Sequence, residues 1–128
     1  MSYLLDTNIA IHLRDDDPMI VARVTALDGA VLLSVVSRVE MEGGVHRDPA
    51  QAHLRRRRLD AILEFLPVID FDGASADAYR AIVAAAGYSR RKWLDRMIAA
   101  QALVHRATLI TLNASDFQDV PGLDLLAW

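Results

Sequence analysis

The sequence predicts an α/β protein with a single domain over residues 1–128, in which a central, mostly parallel sheet of about five strands has helices on both faces. Three observations support this class. Short, β-branched apolar runs alternate along the chain with segments whose apolar residues have helical spacing. Capping residues, prolines and glycines separate the two kinds of segment. The chain contains no linker or internal repeat, and its length is that of one domain.

Five apolar segments are predicted as strands. The first ends at Asp6, and the second is continuously apolar from Ala30, which is typical of a strand covered on both faces. The predicted strands cover residues 2–5, 30–36, 68–71, 108–112 and 123–128. Because helical segments separate the first four strands, helical crossovers would make these strands parallel.

The helices are predicted from their caps and their apolar spacing. Asp17 before Pro18 is typical of an N-cap followed by the first helical residue. Ser37 and Glu40 fit a capping box that opens a third helix, which would close near Gly43–Gly44. The predicted helices cover residues 9–14, 18–27, 37–44, 51–65, 75–86 and 90–106, with a turn or short helix at 114–117.

Composition excludes several classes of protein and of site. Apolar residues make up 53% of the chain and charged residues 24%, which is typical of a folded globular domain. Without cysteine there is no disulfide, no thiolate nucleophile and no cysteine-ligated metal site. The histidines lack the spacing of a zinc site. The chain shows no basic N-terminal signal region and no apolar run of the roughly 20 residues that cross a bilayer, so we expect a cytoplasmic protein without a membrane partner.

The charges are unevenly distributed along the chain. The net charge is −3, but residues 1–53 are acidic whereas residues 80–106 are basic. A further block, Arg55–Arg58, contains four consecutive arginines, which favours a solvated helix face. Local basic surfaces of this kind can attract nucleic acid even when the whole chain is acidic.

Four acids fall where an α/β sheet binds its ligands. Asp6 follows the first predicted strand, and Glu40 lies soon after the second. Asp116 follows the fourth strand, and Asp95 lies one turn into the helix that leads to it. Because ligands of parallel sheets bind beyond the carboxyl ends of the strands, we expect these four side chains to converge.

Convergent carboxylates repel one another, so they need neutralising cations or a bound metal ion. Mg²⁺ and Mn²⁺ prefer oxygen ligands, and they commonly bind through one or two carboxylates together with substrate phosphate. A hard metal ion beside arginines indicates hydrolysis of a phosphodiester.

Each acid also has a purely structural interpretation. Asp6 could serve only as an N-cap, Glu40 only as part of a capping box and Asp116 only as a turn residue. Asp95 could form a surface ion pair with its basic neighbours.

Three other functions are compatible with parts of the sequence. An aspartyl phosphatase would use Asp6, but Asn8 stands where that chemistry wants a second Asp, and the chain's one lysine, Lys92, lies on a helix. A receiver-like phosphoacceptor would use Asp70 or Asp72. A metal-free module could also keep the fold and bind only RNA or protein.

Four ordered segments carry a resemblance to a known family. They are Leu-Leu-Asp-Thr-Asn-Ile from Leu4, Ser-Val-Val-Ser-Arg-Val-Glu from Ser34 with Gly44 beyond it, Leu-Asp-Arg-Met-Ile-Ala-Ala from Leu94, and Thr-Leu-Asn-Ala-Ser-Asp-Phe from Thr111. Taken together they resemble the motifs of PIN-domain ribonucleases, and specifically of VapC-type toxins from toxin–antitoxin pairs. The resemblance spans the whole chain, although Leu112 stands where the family often has a polar residue.

This resemblance implies a magnesium-dependent endoribonuclease, for which Mn²⁺ would substitute, held inactive by a VapB-type antitoxin and assembled as a homodimer. Asp6 and Asp95 would be the main metal-facing carboxylates, with Asp116 completing the set. Glu40 would orient or deprotonate the attacking water.

Neighbouring polar and basic residues are expected to support these acids. Neutral donors that fix the carboxylates would be Thr7, Asn8, Thr111 and Asn113. Contacts to RNA phosphates would come from Arg90, Arg91, Lys92 and Arg96.

Overall fold

The computed structural model describes the whole chain, from Met1 to Trp128, as strands and helices joined by short connections. The strands are β1 Ser2–Leu5, β2 Ala30–Ser34, β3 Val68–Ile69, β4 Thr108–Thr111 and β5 Leu125–Ala127. The helices are α1 Thr7–Arg14, α2 Pro18–Thr25, α3 Val35–Arg47, α4 Ala52–Phe65, α5 Gly73–Ala86 and α6 Trp93–His105, with a 3₁₀ turn at Ala114–Phe117.

The five strands form one sheet in the order β3-β2-β1-β4-β5, and every neighbouring pair is parallel. This confirms the predicted α/β class. In the centre of the sheet, Leu5 is in register with Leu33 on one side and with Ile110 on the other. The chain passes from β1 to β2 on one side and reaches β4 on the other, so the topological switch point lies between β1 and β4. Ligands of such sheets bind in the crevice at this point.

Side chains of the central strands alternate between two apolar layers. Leu4 and Leu109 pack in a cluster with residues of α5 and α6, among them Ile98. Leu5 and Ile110 pack in a second cluster against α1 and α2. A third cluster joins β2 to α1, α3 and α4. Successive residues of a strand point to opposite faces, so this alternation places helices on both faces of the sheet, as predicted.

The start and end of α3 differ from the prediction. The helix begins at Val35, because the Ser34 hydroxyl accepts a hydrogen bond from the Val36 backbone N–H at 3.0 Å. Ser37 therefore lies inside the helix, and the predicted capping box is wrong. The two glycines do not end α3 either, since it continues to Arg47. Each interior glycine costs about 1 kcal/mol of helix stability relative to alanine, but the buried Met41 and Val45 anchor the helix on both sides of the pair.

Other element ends moved by a few residues. The long helix near the C-terminus begins at Trp93 rather than at residue 90, so Asp95 lies in its first turn. Gly87 ends α5 with a φ of +83°, a left-handed conformation that favours glycine, as the sequence predicted. No helix combines the length and apolar character that crossing a bilayer requires.

Candidate active site

Asp6 lies at the centre of the site, at the carboxyl end of β1. Its side chain is 4% exposed, and its backbone N–H donates to the Ile110 carbonyl at 2.9 Å. One carboxylate oxygen accepts from the Thr7 backbone N–H at 2.8 Å, so Asp6 caps α1. The other accepts from the Thr111 hydroxyl, also at 2.8 Å. Asp6 can therefore cap α1 and still belong to the site, because one oxygen is held by the start of α1 and the other by the end of β4.

Glu40 is connected to this centre through α1. The Thr7 hydroxyl donates to Glu40 Oε1 at 2.9 Å, so the Ser37 hydroxyl, 2.8 Å from the same oxygen of Thr7, must donate to it. The sequence predicted only a helix-capping role for Ser37. Its spacing to Glu40, one turn along the same helix, was the signal that both side chains face α1.

Asp95 and Asp116 approach from the other side of the switch point. Asp95 is partly buried in the first turn of α6, and its carboxylate accepts no hydrogen bond from the protein. Asp116 lies in the 3₁₀ turn after β4, where Arg91 Nη1 is 3.3 Å from its Oδ1. The Arg91 side chain is 72% exposed, so this ion pair is loose.

The four carboxylates act on one another electrostatically. Burial raises the pKa of Asp95 to about 6, and the negative charges of Asp6, Asp116 and Glu40 add to this rise, whereas Arg91 opposes it. The Asp95 carboxyl group is therefore close enough to the other three acids for each of them to raise its pKa. Residues that are far apart in the sequence share one negatively charged region.

Burial also raises the pKa of Asp6 and of Glu40. For Asp6 the hydrogen bonds from Thr111 and from the Thr7 backbone oppose the rise, and the charge of Asp116 adds to it. For Glu40 the hydrogen bond from Thr7 opposes the rise, and the charge of Asp6 adds to it. These hydrogen bonds stabilise the ionised carboxylates without neutralising them.

The donor set fits a hard divalent cation. Every candidate ligand is a carboxylate oxygen, and Arg91 is the one cation that forms an ion pair with any of the four acids. No three acidic or histidine side chains are already gathered closely enough to enclose an ion. An ion held by one or two of these carboxylates would complete its shell with water and substrate phosphate, as Mg²⁺ commonly does.

The structure separates the predicted supporting residues into two groups. Thr7 and Thr111 are buried, and their hydroxyls bond to the acids. Asn8 and Asn113 are exposed, and their side chains form no hydrogen bond with any acid. Asn113 contributes through its backbone instead, because its N–H donates to the Thr111 hydroxyl at 3.0 Å.

One of the predicted RNA contacts is wrong. The Arg96 side chain is 3% exposed, and its guanidinium donates to the Gly87 carbonyl and to Asp119. It fastens α6 to the loop that precedes it and to the segment that follows the 3₁₀ turn, so it is not free to reach RNA. Lys92 also pairs with Asp119. Arg90 and Arg91 are the exposed members of the predicted group.

The structure gives Asp72, one of the two alternative phosphoacceptors, another role. Asp72 caps α5, accepting from the Ser75 backbone N–H and hydroxyl at 2.9 Å each. Lys92 forms its ion pair with Asp119 rather than with Asp6. Neither an aspartyl phosphatase nor a receiver-like protein is supported by these contacts.

Comparison with known proteins gives the family. Residues 3–123 match the profile of the PIN domain. The chain belongs to the PIN-domain family. This PIN domain is 29% identical over 136 residues to ribonuclease VapC2 of Rickettsia felis, a match that covers 100% of this chain and 98% of that protein.

Solved structures resemble this PIN domain along its full length. VapBC2 from Rickettsia felis, bound to a DNA fragment from its promoter, superimposes with a TM-score of 0.86 at 27% identity, covering 100% of this chain and 99% of that one. FitAcB from Neisseria gonorrhoeae gives 0.83 at 26% identity, covering 97% and 96%. A toxin–antitoxin complex from Klebsiella pneumoniae gives 0.75 at 27%, covering 98% and 96%. The resemblance to VapC-type PIN domains is confirmed.

Proposed function

We propose that this PIN domain is a magnesium-dependent endoribonuclease and the toxin of a VapBC-type pair that acts in the cytoplasm. The observation that carries the proposal is the cluster of four carboxylates at the switch point, where burial and then the charges of the other three acids raise the pKa of Asp95 to about 6. Such a cluster is a costly arrangement unless it serves a ligand. The similarity to ribonuclease VapC2 supports RNA as the substrate.

The acids divide into two tasks. Asp6 and Asp95 would hold the divalent ion, with Asp116 as a further ligand. When bound, the ion would polarise the phosphodiester and offset the negative charge of the site. Mn²⁺ would substitute for Mg²⁺, because both prefer oxygen ligands.

Glu40 would position the attacking water. Thr7 holds Oε1, which leaves Oε2 without a protein partner and able to accept a proton from water. The raised pKa makes the carboxylate a stronger base than an ordinary glutamate. Arg91, which pairs with Asp116, and its exposed neighbour Arg90 would contact RNA phosphates and so contribute affinity without sequence preference.

The partner proposals rest on the similar structures. Those structures are described as VapBC and toxin–antitoxin complexes, so we propose a VapB-type antitoxin as the partner. A homodimer, expected from the family resemblance, is part of the same proposal. Light scattering of the purified chain, alone and with antitoxin, measures both assemblies.

Asp6→Asn tests the activity. We expect cleavage of RNA in Mg²⁺ to fall by at least about a hundredfold, because the amide removes a negative ligand. The fold should persist, since the retained oxygen can still accept from the Thr7 backbone and the Thr111 hydroxyl can accept from the new amide.

Gel analysis of a labelled RNA measures this loss, and the melting temperature checks the fold. Glu64→Gln is the matched control, because Glu64 is exposed on α4 and makes no ion pair. Cleavage at the wild-type rate by pure Asp6→Asn protein would show that the site is misassigned.

A further inference from the structure

A polar pocket of about 430 Å³ has Glu40 in its lining. Three arginines line it, each from a different helix. Arg14 is the last residue of α1, Arg47 the last of α3, and Arg55 lies in the first turn of α4. We call this space the arginine pocket.

Arg14 is the buried cation of the pocket. Its side chain is 4% exposed, and Nε donates to Asp15 Oδ1 at 3.0 Å. Neither terminal nitrogen has a hydrogen-bond partner in the protein, although both belong to a residue that lines the pocket. These two nitrogens therefore keep their N–H donors free for water or for an anionic ligand in the pocket.

Gly44 brings two of the arginines together. A Cβ atom at this position would lie 3.4 Å from Arg14 Nη1, so the missing side chain lets the guanidinium lie close against α3. The Gly44 carbonyl accepts from Arg55 Nη1 at 2.8 Å. One glycine inside a helix therefore fixes the position of both cations.

The arginine pocket carries more positive than negative charge. Its acids are Asp15 and Glu40, of which Asp15 already pairs with Arg14. Arg47 and Arg55 form no ion pair. The next residue, Arg56, differs because Glu42 and Asp60 neutralise it. The uncompensated arginines are thus the ones that face the pocket.

We infer that the arginine pocket binds a backbone phosphate of the RNA, next to the phosphate that is cleaved. The inference rests on the proposed ribonuclease function. Guanidinium groups present paired N–H donors that match phosphate oxygens, and three of them converge here. Glu40 forms a wall of both the pocket and the candidate active site, so a strand held by one phosphate in the pocket would run past the four acids.

The binding test uses a fluorescein-labelled pool of random-sequence RNA and Asp6→Asn protein, in which cleavage of the probe should be at least about a hundredfold slower. In this background we expect Arg14→Gln and Arg55→Gln each to weaken RNA binding three- to tenfold. The slope of log K against log salt should fall by about 0.7 for each lost phosphate contact. Arg57→Gln is the matched control, because Arg57 is exposed on the opposite side of α4 and does not line the pocket.

A cleavage assay with Asp6 intact separates this inference from the proposed function. We expect the pocket variants to raise KM with kcat nearly unchanged, because they remove binding and no reacting group. If the wild-type protein cuts no RNA, the proposed function fails. If it cuts RNA and the variants keep the wild-type KM, only the inference fails.

Two further outcomes complete the test. If Arg14→Gln does not fold, Arg55→Gln and Arg47→Gln decide, since both change less buried side chains. Inorganic phosphate is the second probe. If millimolar phosphate raises the melting temperature of the wild-type protein but not of Arg55→Gln, while RNA affinity is the same in both, the pocket is a site for free phosphate and the inference is wrong.

Discussion

Thr7 shows how a single side chain can join two catalytic candidates. Its backbone N–H donates to Asp6 and its hydroxyl donates to Glu40, while Ser37 donates to that hydroxyl. The sequence predicted Thr7 as a supporting donor, since it follows the acid of the first motif. It did not predict the role of Ser37, because a serine three residues before a glutamate is equally typical of a cap.

Asp95 gives the metal-free protein a pH-dependent stability. Its pKa is about 6 in the folded protein against 3.8 ordinarily, so the native state binds the proton more tightly than the unfolded state does. Protonated Asp95 therefore stabilises the native state. This stabilisation is complete below 3.8, the pKa of Asp95 in the unfolded chain, and it is lost as the pH rises through 6.

We therefore expect wild-type protein in a chelator to melt at a higher temperature at pH 5 than at pH 7.5. Asp95→Asn should reduce this difference in melting temperature, because the amide does not titrate. Part of the difference should remain, since the pKa values of Asp6 and Glu40 are also raised. Differential scanning fluorimetry measures both. If the melting temperature of the variant depended on pH as strongly as that of the wild type, the raised pKa of Asp95 would not be a source of this dependence.

At the scale of elements, α6 decides where Asp95 lies, and a buried glutamine holds this helix to the sheet. Gln101 is fully buried; its amide donates to the carbonyls of Ile69 and Asp70 at 3.1 Å each, and its oxygen accepts from the Ser34 hydroxyl. Gln101 lies three residues after Ile98 and so shares its inner face of α6. The partners were not predictable, because they come from the ends of β2 and β3.

Gln101→Leu should lower the free energy of unfolding by about 1–3 kcal/mol, because the leucine leaves buried partners without hydrogen bonds. Urea denaturation measures the loss. Gln118→Leu is the control, since Gln118 is exposed and its replacement should change stability by less than about 0.5 kcal/mol. Equal stability of the two variants would show that the Gln101 contacts contribute nothing.

The predicted ends of helices were correct where local hydrogen bonds decide them, and they were wrong where tertiary packing decides them. Asp17 caps α2 as the sequence predicts, with its carboxylate accepting from the Met19 and Ile20 backbone N–H groups. The glycines at 43 and 44 stop no helix, because neighbouring apolar residues and Arg14 pack on that side of α3. A glycine signals a helix end only when tertiary contacts do not oppose it.

At the scale of the whole molecule, a bound metal ion should stabilise the fold. An ion that binds only the native state adds stability that grows with its concentration, about 2.7 kcal/mol at a hundredfold excess over Kd. We expect Mg²⁺ to raise the melting temperature of wild-type protein and of Glu64→Gln, and to have little effect on Asp6→Asn. A wild-type melting temperature that does not respond to millimolar Mg²⁺ would favour the metal-free binding module.

The sheet order is also a property of the whole molecule. The sequence predicts the strands and their parallel direction, because apolar runs and helical crossovers are local features. It does not say that β1 lies between β2 and β4. That order brings the Thr111 hydroxyl to Asp6, across a separation of 105 residues.

The sequence alone determined the class of fold, the strands and helices within a few residues, and the four acids with their family resemblance. Each of these depends on residue type and on spacing along the chain. Only the tertiary structure decided which polar side chains meet: it removed Arg96 from the RNA contacts, added Ser37 to the site, and placed Arg14 beside Gly44. Burial and pairing are the reason, because they depend on neighbours that packing brings together from distant segments.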